Sequence, residues 1–210
     1  IHSHTHSMDQ VSPTREKLRA AALMLFVKKG IAETTTRELA ALAGVAEGTI
    51  YRHYTSKENL VRDLFEGHFR GFGAELERIR RETAGDLAAK LGAMIGYMAS
   101  LYDSDPTLYR FLLLAQHTAL PSIAKALPAS PSSVFRRLVE DAIATGQIPP
   151  QNATLSTAML IGAIIQPALA MVYGTLKGPM TRCVPEITAR SLALIGCPAV
   201  LSEMGKGVQQ

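Results

Sequence analysis

The sequence predicts an all-α protein with an amino-terminal three-helix domain and a larger helical body. Apolar residues recur at helical spacing along most of the chain, glycines and prolines cut that pattern into helix-length pieces, and no alternating strand pattern of useful length appears. The stretch from Thr35 to Tyr54 reads as two short helices joined by a glycine turn, and the remaining elements are arranged around it.

The first element starts at Ser12-Pro13, an N-cap followed by a first helical residue, and runs to about Lys29 before Gly30. Its inner stripe is Leu18, Ala21, Ala22, Leu25 and Phe26. Thr35 followed by Glu38 is a capping box, in which hydroxyl and carboxylate each satisfy a free backbone N–H. Leu39, Ala40 and Ala43 give that helix an inward face, Gly44 suits the positive φ of a C-cap, and Val45 plugs the angle between the helices. The next helix, about Ala46 to Tyr54, places Ile50 and Tyr54 on one side and Gly48, Thr49, Tyr51 and Arg52 towards the other. Gly48 is a poor helix former that removes bulk where another surface could approach. Thr49, Tyr51, Arg52 and His53 supply hydroxyls, a cation and an imidazole suited to phosphate oxygens and base edges. The pattern is that of a helix-turn-helix with its second helix in the major groove of DNA.

Here the sequence resembles the TetR family of bacterial transcriptional regulators. Its signature, Thr-Thr-x-x-Leu-Ala-x-x-Ala-Gly-Val-x-x-Gly-Thr-x-Tyr-x-His-Phe followed by x-Ser-Lys-Glu-x-Leu, is matched from Thr35 to Leu60. Tyr54 stands for the usual Phe, and Ala46-Glu47 for a common Ser-Lys pair. Glu47 thus puts an acid near DNA, where it reads a cytosine amino group or faces solvent. The resemblance implies DNA contacts from Thr35, Thr36, Arg37, Glu47, Gly48, Thr49, Tyr51, Arg52, His53 and Lys57, with Tyr51 and Lys57 serving affinity and Thr49 and Arg52 base preference. Lys57 sits where a phosphate meets a helix N-terminus.

Charge agrees with a DNA reader. Nine cations face five acids between Pro13 and Arg62, so this segment carries the whole formal charge of +4. Cys183 and Cys197 have no metal-ligand spacing and read as reduced thiols in a cytoplasmic protein. The start Ile-His-Ser-His-Thr-His-Ser lacks the pattern of a signal peptide, and His2, His4 and His6 read as a leftover affinity tag before Met8 rather than a metal site. The expected organisation is a tag remnant and arm over 1–11, a DNA-binding domain over 12–56, a ligand-binding and dimerisation domain over 57–200, and a tail over 201–210.

Thr55 with Glu58, or Ser56 alone, caps a long fourth helix reaching about Arg81, with Leu60, Val61, Leu64, Phe65, Phe69, Phe72, Leu76 and Ile79 as its apolar positions. By resemblance this helix links ligand to DNA affinity. Beyond Gly85, helices are expected at Asp86 to Tyr102, Pro106 to His117, Ser132 to Thr145, Ala153 to Tyr173 and Thr181 to Ile195. The apolar run Ala158 to Tyr173 is interrupted by Gln166-Pro167 and falls short of the roughly 20 residues a membrane span needs, so no membrane is expected. A helix apolar nearly all round is buried on two sides. The family resemblance implies that the last two long helices form a dimer interface, with Leu155, Met159, Gly162, Ala163, Leu169 and Leu192 in it. A two-fold dimer suits a palindromic operator.

For a small-molecule effector the body offers Met94, Tyr97, Tyr109, Leu113, Gln116, His117, Phe135, Met159, Gln166 and Tyr173, with Met98 and Met171 beside them. Methionines, aromatics and a few polar tips make a pocket for a largely apolar molecule, and also make ordinary core. Tyr97, Tyr109, Gln116, His117 and Gln166 rank first because buried polar tips need partners. No phosphate-cradling glycine loop, nucleophile elbow or metal-spaced cluster is present, so neither enzyme, cofactor nor metal is expected. The function expected is a repressor released from DNA by its ligand. The alternative is a helical interaction module that never binds DNA specifically.

Overall fold

The computed structural model describes residues 12–118 and 130–197, with the side chains of residues 114–118 outside the description. The expected tag remnant, the His2, His4 and His6 reading, the tail and the break at Leu120-Pro121 lie outside the described residues. Among the described residues all regular structure is helical: α1 Pro13–Lys29, α2 Thr36–Ala43, α3 Glu47–His53, α4 Lys57–Glu82, α5 Leu87–Ser104, α6 Pro106–Thr118, α7 Pro131–Ala144, α8 Ala153–Val172, a 3-10 turn Met180–Cys183, and α9 Val184–Leu194. The chain divides into two units after Gly67, inside α4.

In the amino-terminal unit, the capping box forms. Thr35 N–H donates to Glu38 Oε2 at 2.9 Å, and Glu38 N–H donates to Thr35 Oγ1 at 3.3 Å. Gly44 ends α2 at φ 67°, where any Cβ would be strained. Leu18, Leu39, Ile50, Leu60 and Leu64 are all fully buried in this unit. One cap differs from expectation, and at α4 one of the two expected alternatives forms. Ser12 precedes α1, but its hydroxyl makes no cap bond, while its carbonyl accepts from Glu16 N–H at 3.1 Å. Ser56 caps α4, accepting from Asn59 N–H at 3.1 Å, because its oxygen stands three residues before that donor.

In the carboxy-terminal unit, α5, α7, α8 and α9 surround a core that includes Leu91, Met94, Ile95, Phe135, Val139, Leu160 and Ile164. Polar pins hold it. Asp103 accepts from Met180 N–H at 2.7 Å and Thr181 N–H at 3.0 Å, which fixes the 3-10 turn and delays the last helix to Val184. Glu77 on α4 accepts from Arg80 at 2.8 Å and from Arg137 on α7 at 3.1 Å.

α8 runs unbroken through Gln166 and Pro167. Buried Ile164, Ala168 and Met171 on both sides of the proline outweigh the roughly 3 kcal/mol that a helix-interior proline costs. At 20 residues it is long and apolar enough to cross a membrane by length and composition, contrary to the shorter run expected. One side of it packs on α7 and α9, as in a core helix with one open face. On that open face Leu155 (58% exposed), Met159 and Gly162 line up at spacings of four and three. Leu192 does not join them: it is buried within its own unit, and Leu194 is the exposed leucine of α9.

Candidate nucleic-acid interface and effector cavity

The seven residues of α3 bury Ile50 and Thr49 and leave Glu47, Gly48, Tyr51 and Arg52 outside. Thr49 therefore departs from its expected outward position. It lies one residue before Ile50, close enough in helical phase to share the inner side, and its hydroxyl accepts from Arg52 at 2.9 Å. Tyr51 is 56% exposed. Around Gly48 a Cβ would meet nothing within 4 Å. No contact inside the unit requires a glycine there, although it costs the helix up to about 1 kcal/mol relative to alanine.

The neighbouring candidates are mostly held by the fold. Thr35 is committed to its cap, and Thr36 donates to Glu47 Oε1 at 2.7 Å, tying the start of α2 to the start of α3. Lys57 donates to the carbonyls of Ala32 and Thr34 at 3.1 and 2.9 Å, so its ammonium pins the α1–α2 loop to the start of α4. Arg37 is exposed and His53 half-buried. Lys29 donates to Glu38 at 2.6 Å, and together with Thr35 it lowers the Glu38 carboxyl to about 2. Sequence reasoning missed the cluster behind α3. Asp63 on α4 accepts from Arg15 at 2.6 Å, from Arg19 at 2.5 Å and from the Tyr54 hydroxyl at 3.0 Å. The signal was Tyr54 in place of a phenylalanine, because a buried hydroxyl needs a partner.

The carboxy-terminal unit contains a cavity of about 140 Å³. Phe69 and Phe72 of α4, Tyr109 of α6 and Phe135 of α7 supply rings to its wall. Among the described residues, Met98, Leu112, Leu113, Ile161, Ile164 and Ile165 supply its aliphatic surface, with Pro131 and Ser132 beside them. Of the expected pocket residues, Met98, Tyr109, Leu113 and Phe135 meet there. Met94 is buried in the core off the cavity wall, and Tyr97 stacks on Phe72 with ring centroids 5.7 Å apart. Met159, Gln166 and Tyr173 face outward, because α8 turns Ile161, Ile164 and Ile165 inward at i, i+3 and i+4 and places those three on its other side. The side chains of Gln116 and His117 lie outside the described residues. Nothing in the sequence singled out the isoleucine triplet, because the helix is apolar nearly all round. Tyr109 is buried, packs edge-on to Tyr102 at 5.4 Å, and its hydroxyl has no hydrogen-bond partner among the described residues. Burial holds that phenol well above its ordinary range.

Residues 18–64 match the family model described as bacterial regulatory proteins, tetR family. The HTH-type transcriptional regulator YvkB of Bacillus subtilis is 43% identical over 75 residues, 36% of this chain and 38% of that protein. The HTH-type transcriptional repressor KstR2 of Mycobacterium tuberculosis is 34% identical over 91 residues, 43% of this chain and 44% of that protein. The amino-terminal part of the chain is thus similar to that of TetR-family bacterial regulatory proteins. Both relatives are named as HTH-type transcriptional regulators or repressors.

The chain spans less than half the length of these curated relatives. The likeness in fold extends further. The fatty acid degradation regulator FadR of Bacillus halodurans superposes with a TM-score of 0.73 at 20% identity, covering 85% of this chain and 97% of that one. FadR of Bacillus subtilis, solved in complex with stearoyl-CoA, gives the same TM-score at 20% identity, covering 86% and 97%. The likeness over the body is one of fold alone, and its cavity has to be read from its own residues.

Proposed function

We propose that this chain is a DNA-binding transcriptional regulator, most simply a homodimeric repressor that a small, largely apolar molecule releases from a palindromic operator. The observation that carries the reading is the outer face of α3. A glycine with open space around it stands beside exposed Tyr51 and Arg52, in a segment that holds the chain's excess of positive charge. Such a face makes sense against another surface and brings the folded unit no benefit by itself. Arg37, Tyr51 and Arg52 are the side chains proposed to touch DNA, and Gly48 allows the backbone to come close. Thr35, Thr36, Glu47, Thr49 and Lys57 hold the reader in shape.

The open face of α8, with Leu155, Met159 and Gly162, supports a dimer formed through α8 and α9. α4 supports the coupling: it carries Asp63 in the amino-terminal unit and Phe69 and Phe72 on the cavity wall. Gly67 and Gly71 weaken the helix between those positions. A ligand that binds one arrangement of α4 better than the other shifts DNA affinity by that difference. The cytoplasm is the proposed location, since DNA is the partner. The experiment is a titration of the purified chain against DNA upstream of its own gene, beside unrelated DNA, at low and moderate salt. Selective, salt-weakened binding by a dimer supports the reading. No binding to either DNA overturns it in favour of a helical interaction module.

A further inference from the structure

We propose that the cavity of the carboxy-terminal unit is built for an uncharged single-ring aromatic molecule carrying at most one small polar substituent. This rests on the ligand-responsive reading above and narrows it to a chemical class. Size is the first argument. A cavity of about 140 Å³ is close to the roughly 150 Å³ of an engineered apolar cavity in another protein that binds benzene. A long acyl chain needs several times that volume.

Shape and chemistry are the second argument. Phe69, Phe72, Tyr109 and Phe135 bring four rings to one small space, where an aromatic guest finds edges and faces to pack against. Among the described residues, no Asp, Glu, Lys or Arg stands on the wall. Against these described residues a carboxylate would lose water without meeting a cation, which disfavours benzoates and fatty acids. The third argument is the Tyr109 hydroxyl. It belongs to a wall residue, is buried, and has no hydrogen-bond partner among the described residues. A neutral phenol with an unmade hydrogen bond suits a ligand hydroxyl or carbonyl, which accepts from it once the guest seats beside the ring.

The test is calorimetric titration of the full chain, without DNA, with toluene, p-cresol, benzoate and decanoate. Toluene and p-cresol are expected to bind saturably, p-cresol about fivefold more tightly through the extra hydrogen bond. Benzoate and decanoate are expected to bind at least about tenfold more weakly than toluene, because each leaves a charge unpaired. Tyr109→Phe should erase the advantage of p-cresol and keep toluene. Ile161→Phe fills the cavity and should abolish both, with Ile165→Phe as the second filling variant if the first loses its cooperative unfolding transition. Decanoate binding as tightly as toluene, aromatic binding that survives both folded filling variants, or no saturable aromatic binding would each overturn the proposal. Since DNA is absent from this titration, its failure leaves the regulator reading standing, and failure of the operator titration leaves the cavity result standing.

Discussion

The Tyr54 hydroxyl donates to Asp63 Oδ2 at 3.0 Å and accepts from Arg15 Nε at 3.1 Å, so the residue that ends α3 is bound to both α1 and α4. Arg15 also lies over the Tyr54 ring, 5.5 Å from its centroid, and shares Asp63 with Arg19. One carboxylate on α4 thereby joins α1 to the end of α3.

Tyr54→Phe removes both hydroxyl bonds and keeps the ring packing. The expected loss is about 1 kcal/mol, since Asp63 retains two arginines. Thermal unfolding should fall by a few degrees. An unchanged midpoint would mean that the cluster contributes no stability through this hydroxyl.

Gly48→Ala separates stability from function. With nothing within 4 Å of the new methyl, the folded unit should gain up to about 1 kcal/mol from helix propensity. Operator affinity, followed by fluorescence anisotropy, should fall, because the methyl occupies the space through which DNA approaches. A variant both more stable and equally tight would remove Gly48 from the interface.

Gly71→Ala stiffens α4 between its two roles. The position has open space, so the substitution should again stabilise by up to about 1 kcal/mol. Ligand-free DNA binding should persist, whereas release by a bound ligand should need more of it. Anisotropy titrations with and without ligand read this directly.

Acid should weaken the fold through two carboxylates. Glu38 is lowered to about 2 by its bond from Lys29, and Glu77 to about 2 by its bond from Arg80. Both pKa values are depressed in the folded chain, so their stabilisation is full above the ordinary value of 4.5 and disappears as pH falls through about 2. Unfolding midpoints measured from pH 5 down to 2.5 should drop, and Glu77→Gln should flatten that slope. A slope unchanged by the substitution would show that Arg80 and Arg137 do not act through Glu77.

Met159→Glu places a charge in the open face of α8, where the side chain is 45% exposed in the single chain. The monomer should tolerate it, while sedimentation should show dissociation of the dimer, because a charge buried without a partner is costly. A variant that remains dimeric would put the interface elsewhere.

What the sequence determined by itself was local. The capping box at Thr35 and Glu38, the left-handed turn at Gly44 and the apolar spacing of each helix depend on residues only a few positions apart, so their chemistry is written in the chain. The family signature was legible for the same reason, as it is a contiguous run. The tertiary structure decided orientation. Thr49 turned inward, and Lys57 and Glu47 became pins within the amino-terminal unit. On α8, Ile161, Ile164 and Ile165 became cavity wall while Met159, Gln166 and Tyr173 faced out. A helix apolar nearly all round carries no stripe that names its inner side. Only the helices packed against it set that phase, and with it the division between core, cavity and open face.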